Sequence, residues 1–351
     1  MGNAVERETF QHAGDAPLIA ADVGGTHARI AVVGQALDGA GAFTIPHYEK
    51  YVCAEFPSLA AIIGTFRETH LRTAVDRVAL AIAGYLIDDA VINVSLPWTV
   101  SISGLQSALG VRELAIVNDF EAAAYAIGHI DATHAALLSG PAAMTEGPVL
   151  LVGPGTGLGA AVRIPNAPRV LVLATEAGQA TLAPDTDLEF ELLRELRRRG
   201  SRVLIEDVLS GTGLANLHAA IRSVRGAPAS TATPAQITAA ALARSDRYAE
   251  ETVEVFCGWL GSVLGDLALL YGATGGIYLA GGVLPQMKPL LLESRFVERF
   301  VDKGAMRAVL ARTPVRLIEH AQLGVIGAAS WYFNRRANVA DAVSAGTAAA
   351  G

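Results

Sequence analysis

Residues 18–33 read LIAADVGGTHARIAVV: an apolar run, a carboxylate at Asp22, a turn through Gly24, Gly25 and Thr26, and a second apolar run. Two short apolar runs joined by a Gly-Gly-Thr turn predict a buried β-hairpin with a polar tip. Glycines there let backbone N–H groups approach an anion, the threonine hydroxyl can donate to a phosphate oxygen, and Asp22 can hold a hydrated magnesium ion. An ordinary Gly-Gly hairpin carries the same residues, so this motif alone does not decide for a ligand.

The pattern recurs. Residues 148–162, PVLLVGPGTGLGAAV, again place a glycine-rich tip with a threonine (Gly153, Gly155, Thr156, Gly157, Gly159) between two apolar runs. The distance between the two tips is too long for a solenoid period and predicts two similar domains, each offering a glycine hairpin to one shared polyphosphate. Neither tip is a Walker sequence, because no Gly-Lys-Ser/Thr follows. The second is no dinucleotide fingerprint either, because strand-like residues follow it.

A chain of 351 residues has room for two domains with a core each, and 52% hydrophobic against 17% charged residues is a globular composition on the apolar side. The formal net charge of -7 argues against a nucleic-acid partner. Arg194, Arg197, Arg198 and Arg199 share an expected helix with Glu189, Glu191 and Glu195, which reads as a solvated face. Cys53 and Cys257 lack metal-ligand spacing and read as reduced core thiols of a cytoplasmic protein. The opening residues have no signal-peptide centre, Glu6 spoils a myristoylation motif, and no uninterrupted apolar run reaches about 18 residues, so no membrane partner is expected.

In chain order, residues 1–16 read as a loose tail and residues 56–71 as a helix capped by Ser58. Residues 78–83 (VALAIA) form a buried strand that stops at Gly84, with 90–94 as a partner for it; Trp98 in the following loop fits a sugar face or a core equally. A strand at 114–117 runs into Asn118 and Asp119, and an Ala-rich helix starts at about Phe120. Asp119 is then either the helix N-cap or a general base at a strand's carboxyl end, with Asn118 fixing a neighbouring hydroxyl. Glu176, Gly178 and Gln179 sit in a tight polar turn, and Glu206 precedes a Ser210-Gly211-Thr212-Gly213 corner; paired carboxylates of this kind accept hydrogen bonds from sugar diols. A helix at 235–243 starts from Thr233 or Pro234, and a long apolar helix at 248–271 is core. A strand at 275–283 ends in Gly281-Gly282, a pair that can lie flat against adenine and ribose or simply turn. A short strand at 315–318, a last helix at 323–333 and a frayed tail at 338–351 complete the chain.

Taken together, Asp22-Val23-Gly24-Gly25-Thr26, Val117-Asn118-Asp119-Phe120, Gly155-Thr156-Gly157-Leu158-Gly159, Glu176-Ala177-Gly178, Glu206 to Gly211 and Ala280-Gly281-Gly282 resemble the bacterial glucokinase family. That family belongs to the superfamily of sugar kinases, actin and heat-shock chaperone ATPases. The resemblance spans nearly the whole chain. It implies an α/β fold of two ribonuclease-H-like (actin-like ATPase) domains with an interdomain cleft, one formed by 17–128 plus 321–337 and the other by 129–320.

Carried over by resemblance, the catalytic base falls on Asp119 and the sugar ligands on Asn118, Asp119, Glu176, Gln179 and Glu206. The phosphate hairpins fall on Gly24, Gly25, Thr26 and on Gly155, Thr156, Gly157, the adenosine motif on Gly281 and Gly282, and Asp22 lies near the phosphates and touches magnesium through water. Gln179 departs from the histidine that family members usually carry. Glutamine still donates and accepts, which keeps a sugar contact, and the choice among hexoses is the property on which the departure bears. The implied activity is phosphorylation of glucose at its 6-hydroxyl by ATP-Mg in a cytoplasmic homodimer without structural zinc or a DNA-binding domain. The alternatives are a kinase for mannose, fructose or an amino sugar, and a non-catalytic sugar-binding regulator.

Overall fold

The structure is a computed structural model that describes residues 17–35, 43–71, 74–92, 96–143, 145–166, 169–198, 200 and 202–349; the expected N-terminal tail and Arg199 lie outside these. Two compact units divide the chain. One takes the chain up to Ala122 and again from Gln322, and the other is Ala123–Ala321.

In the first unit β1 (Leu18–Val23) and β2 (His27–Gln35) form the expected hairpin, with Asp22 opposite Arg29 and Val23 opposite Ala28, so that residues 24–26 are the tip. β3 (Phe43–Val52) pairs antiparallel with β2, and β4 (Arg77–Ile82), buried along its whole length, pairs parallel with β1. Beyond Gly84, at φ 116°, the chain departs from expectation. β5 (Tyr85–Ile87) and β6 (Ala90–Ile92) fold on each other across Asp88, which holds φ 52°, and β7 (Val100–Ser101) joins β6, so that residues 90–92 pair in a small separate sheet and not with β4. The Asp89 carboxylate locks that turn by accepting from the Ser101 hydroxyl (2.6 Å) and from the Ser103 N–H (2.9 Å).

α1 (Leu59–His70) buries Leu59, Ile62, Ile63 and Phe66 along one face, and the Ser58 hydroxyl accepts from the Ala61 N–H as its N-cap. After α2 (Ile102–Leu109), β8 (Glu113–Asn118) runs parallel to β4 and leads directly into α3 (Asp119–Ala126). The sheet order is β3-β2-β1-β4-β8. Trp98 donates its indole N–H to the Phe56 carbonyl (3.1 Å) and packs against this unit's core, which decides for the core reading.

The second unit repeats the plan. With β9 (Ala135–Ser139), β10 (Val149–Pro154), β11 (Leu158–Asn166), β12 (Arg169–Thr175), β13 (Gly276–Leu279) and β14 (Val315–Ile318), its order is β12-β11-β10-β13-β14-β9. The first five repeat the first unit's order: a hairpin, a third antiparallel strand and two parallel additions on the far side. The chain thus contains the two like domains that the paired hairpins predict.

Helices α4 (Asp187–Arg197), α5 (Gly211–Val224), α6 (Pro234–Leu242) and α7 (Arg247–Leu270) cover this sheet with shorter α8 (Lys288–Glu293), α9 (Phe296–Val301) and α10 (Arg307–Leu310). Thr233 caps α6, whose first residue is Pro234. α7 is long and apolar enough to cross a membrane, yet Phe256, Trp259, Leu260 and Leu264 on it are wholly buried in the second core. Cys53 and Cys257 are free and buried, and burial pushes the Cys257 thiol up to about 12.

Two further expectations need correction. The final helix, α11, runs from Leu323 to Ala349 and not merely to Phe333, because the alanines that read as a tail are also the best helix formers and no proline interrupts them. Glu189 is not on a solvated face. It is 2% exposed, completes the capping box of α4 with Thr186, and receives both terminal nitrogens of Arg299 at 2.9 and 3.1 Å while the third Arg299 nitrogen donates to Ser262. Removing one member of a buried, doubly bonded pair strands the other charge. Glu189→Ala should lower the unfolding free energy of this unit by about 3–5 kcal/mol in denaturant titration, whereas the exposed pair Arg244–Glu293 should give under about 1 kcal/mol in the same assay.

Candidate functional site

In the first unit the register decides where the chemistry lies. Asp22 on β1 faces Ala81 on β4, and Ile82 on β4 faces Asn118 on β8, so the carboxyl ends of three parallel neighbours share one edge of the sheet. With β4 between them, Asp22 and Asn118 stand about 10 Å apart, two strand spacings. The Gly24 N–H donates to the His27 carbonyl (3.0 Å), and Cys53 holds the tip from β3's end: its N–H donates to the Thr26 carbonyl (2.9 Å) and its thiol to the Gly24 carbonyl (3.4 Å). The Thr26 side chain is exposed.

The cap of α3 is Asn118. Its side-chain oxygen accepts from the N–H groups of Phe120 (2.9 Å) and Glu121 (3.2 Å), so what it offers a ligand is its amide nitrogen. Asp119 is the first residue of the helix, where one carboxylate oxygen accepts from the Phe120 N–H (3.0 Å) and the helix terminus favours its negative charge. The N-cap duty that local sequence leaves open for Asp119 therefore falls to its neighbour.

Asp22 is tied to Arg29 at 3.1 Å, across the hairpin. Burial pushes its carboxyl above the usual aspartate range, and Arg29 opposes that shift. The first turn of α11 presses on it from the other side. A Cβ on Gly324 would lie 2.4 Å from the Asp22 carboxyl carbon, so only glycine fits there. Sequence reasoning missed both neighbours. Arg29 was findable, because counting outward from the tip puts it opposite Asp22; Gly324 lies almost the whole chain away and leaves no local signal.

In the second unit the tip between β10 and β11 is closed by the Gly155 N–H donating to the Gly157 carbonyl (2.8 Å), and the Gly211 N–H at the start of α5 donates to the Gly155 carbonyl (2.8 Å). Ser210 caps α5 through the Gly213 N–H. Glu206 lies against this tip. Its Oε2 accepts from the Leu158 N–H (3.3 Å), and its Oε1 accepts from the Gln179 amide (2.6 Å). Glycine makes the room: a Cβ on Gly157 would lie 2.6 Å from the Glu206 Oε2, and one on Gly178 would lie 2.5 Å from the Leu158 carbonyl oxygen. Glu176 follows β12 directly and opens the single 3-10 turn, Ala177–Gln179, that carries Gln179.

Gly281, at φ 93°, turns the chain just beyond β13 so closely over the second hairpin that a Cβ would meet the Pro154 carbonyl at 2.5 Å. The strand expected over 275–283 therefore ends at Leu279. Of the sequence-derived residues, this unit gathers Gly155, Thr156, Gly157, Gln179, Glu206 and Gly281 around one hairpin tip, with Glu176 and Gly282 on the adjoining turns. Among the described residues no three His, Cys, Asp or Glu side chains gather as a metal cage.

The Asp22 pKa carries a stability consequence. A folded pKa above the unfolded value means that the native state holds the proton more tightly, so stability is lost as pH rises from the unfolded value of about 3.9 through the folded one. Asp22→Asn removes the cost while still accepting from Arg29. Its melting temperature should equal or exceed the native value at pH 7, with the difference closing at pH 3.

A glucokinase family model matches residues 19–335. A glucokinase-like protein of Xylella fastidiosa (strain 9a5c) is 47% identical over 328 residues, covering 92% of this chain and 98% of that protein. A glucokinase of Nitrobacter hamburgensis is 38% identical over 310 residues, covering 88% and 95%. Among solved structures, a glucokinase from an Antarctic psychrotroph superposes with a TM-score of 0.81 at 37% identity, covering 91% of this chain and 99% of that one. With the sheet order repeated in both units and the family model matched over nearly the whole chain, the chain belongs to the glucokinase family and is a sugar kinase built from two actin-like ATPase-type domains.

Proposed function

We propose that the protein transfers the γ-phosphoryl group of ATP to the 6-hydroxyl of glucose, giving glucose 6-phosphate and ADP. The observation that carries this reading is the shared edge of the first sheet, where the Gly24–Gly25–Thr26 tip and Asp22 stand at the end of β1 and Asn118 and Asp119 stand at the end of β8. A phosphate cradle and a candidate base at that spacing suit a hydroxyl attacking a bound nucleotide.

In this reading Asp119 accepts the proton of the 6-hydroxyl as its oxygen bonds to the γ-phosphorus, and ADP departs with the electron pair of the broken P–O bond. Asn118 donates its amide to a neighbouring sugar hydroxyl, and Glu176 and Glu206 accept from others, with Gln179 beside Glu206. Backbone N–H groups of Gly25 and Thr26 at the first tip and of Thr156 and Gly157 at the second neutralise charge on phosphate, those of Gly24 and Gly155 being used to close the tips, and Gly281 and Gly282 lie against adenosine. Asp22 would hold the magnesium of ATP-Mg through water, and that ion would supply charge neutralisation on the phosphates. Positioning and electrostatics then supply most of the rate. The free, buried thiols of Cys53 and Cys257 fit work in the reducing cytoplasm.

ADP release with ATP-Mg across glucose, mannose, fructose, glucosamine and a blank tests the reading, and glucose should show the highest kcat/KM. Asp119→Ala should lose about 10²–10⁴ in kcat while its glucose affinity stays within about tenfold. Gly324→Ala should cost about 10² in kcat by displacing Asp22, with glucose affinity unchanged because it touches no sugar ligand. Glucose binding without ADP release would make the protein a sugar-binding regulator.

A further inference from the structure

Two backbone segments face each other beside the second hairpin, and they are closed by main-chain hydrogen bonds on both sides of Gln179. The Glu206 N–H donates to the Gly178 carbonyl (3.0 Å), the Ile205 N–H to Ala180 (2.9 Å) and the Leu182 N–H to Val203 (3.0 Å), while the Gln179 N–H closes its own turn on Glu176 (3.0 Å). These bonds fix both Cα positions before either side chain is considered. The Gln179 amide then meets the Glu206 carboxylate at 2.6 Å. A carboxylate only accepts, so the amide nitrogen faces it and the amide oxygen is left as an acceptor next to the carboxylate.

The nature of this donor matters. Glu206 is held by two neutral donors, the Leu158 N–H and the Gln179 amide, so it keeps its full negative charge toward a third. A lysine or arginine at 179 would form an ion pair with it and compete with an incoming hydroxyl; a histidine would do so only when protonated. The 3-10 turn brings Glu176 to the pair, the residue after Glu206 brings Asp207, whose carboxylate accepts from the Leu204 N–H (2.8 Å), and the tip 155–158 and the start of α5 bring no titratable side chain. The histidine of α5, His218, is turned to the Thr252 hydroxyl instead (3.0 Å).

We propose that Gln179 is the positioning residue of the sugar site: its amide clamps Glu206 against the glycine tip, and because an amide does not titrate, glucose affinity stays constant through neutral pH. This rests on the reading of Glu206 as a glucose ligand. It deepens that reading by giving Gln179 a role exerted through Glu206.

The test is glucose binding by calorimetry without nucleotide, from pH 6.0 to 8.5, on the full chain and on Gln179→Leu and Gln179→His, with ADP release measured in parallel. The native Kd should hold within about twofold across the range. Gln179→Leu should raise Kd and KM at least about fivefold at every pH with kcat within about threefold, since the clamp is lost and the base is untouched. Gln179→His should bind nearly as the native chain does at pH 8.5 and weaken at least about threefold on acidification, with a midpoint above the free-histidine value of about 6.5 because pairing with Glu206 holds the proton. A KM unchanged in Gln179→Leu, a native Kd that itself moves with pH, or a pH-independent Gln179→His overturns the assignment. Glucose binding without ADP release overturns the kinase reading and leaves the calorimetric arms to decide the clamp; a native chain that binds no glucose overturns both.

Discussion

A slip of one residue between β1 and β2 would turn every side chain of the hairpin to the opposite face and part Asp22 from Arg29. Alternation cannot prevent this, because Leu18, Ile19, Ala20 and Ala21 are all fully buried and either face would suit them. The tip sets the register instead: the Gly24 N–H on the His27 carbonyl, the cross-strand pair Asp22–Arg29, and Cys53 closing on Gly24 and Thr26. The second hairpin is locked in the same way, by Gly155 on Gly157 and by Gly211 at the start of α5. The polar tips proposed to face phosphate are thus also the register locks of two sheets, and every strand-end position in either unit is measured from them.

The glycines at these tips divide into two kinds. A Cβ on Gly155 or Gly282 would meet nothing within 4 Å, so those positions leave space for a ligand to come close to backbone. Gly157, Gly178, Gly281 and Gly324 would each clash inside the protein, with the Glu206 carboxylate, the Leu158 carbonyl, the Pro154 carbonyl and Asp22 respectively. A glycine-rich motif read as an anion cradle is here equally a device for packing side chains and turns against a strand end.

The division into two like units was legible because each hairpin shows as two apolar runs around a glycine tip, and short-range rules fixed the caps at Ser58 and Thr233. Asn118, Asp119, Glu176 and Glu206 were legible as polar residues at the ends of apolar runs. What escaped depends on a partner far away in sequence or on a backbone turn that no side-chain pattern announces. Glu189 reads as one more charge on a helix until Arg299 is found against it, and residues 90–92 read as a partner for β4 until the Asp88 turn folds them onto β5. α11 was cut short for a different reason, since alanine signals tail and helix alike once apolar periodicity fades.

The two carboxylates proposed for the site are held by opposite means, and the difference follows from what each would meet. Asp22 has a cationic partner, Arg29, and in the proposed reading it lies near a polyphosphate, where an unpaired buried anion would repel the substrate. Glu206 would meet hydroxyl groups, whose hydrogen bonds strengthen with the charge of the acceptor; a cationic partner would drain that charge, and neutral donors conserve it. In the proposed reading the chain accordingly spends an arginine on the phosphate side and an amide on the sugar side. That choice makes Gln179 a consistent member of the site in its own right.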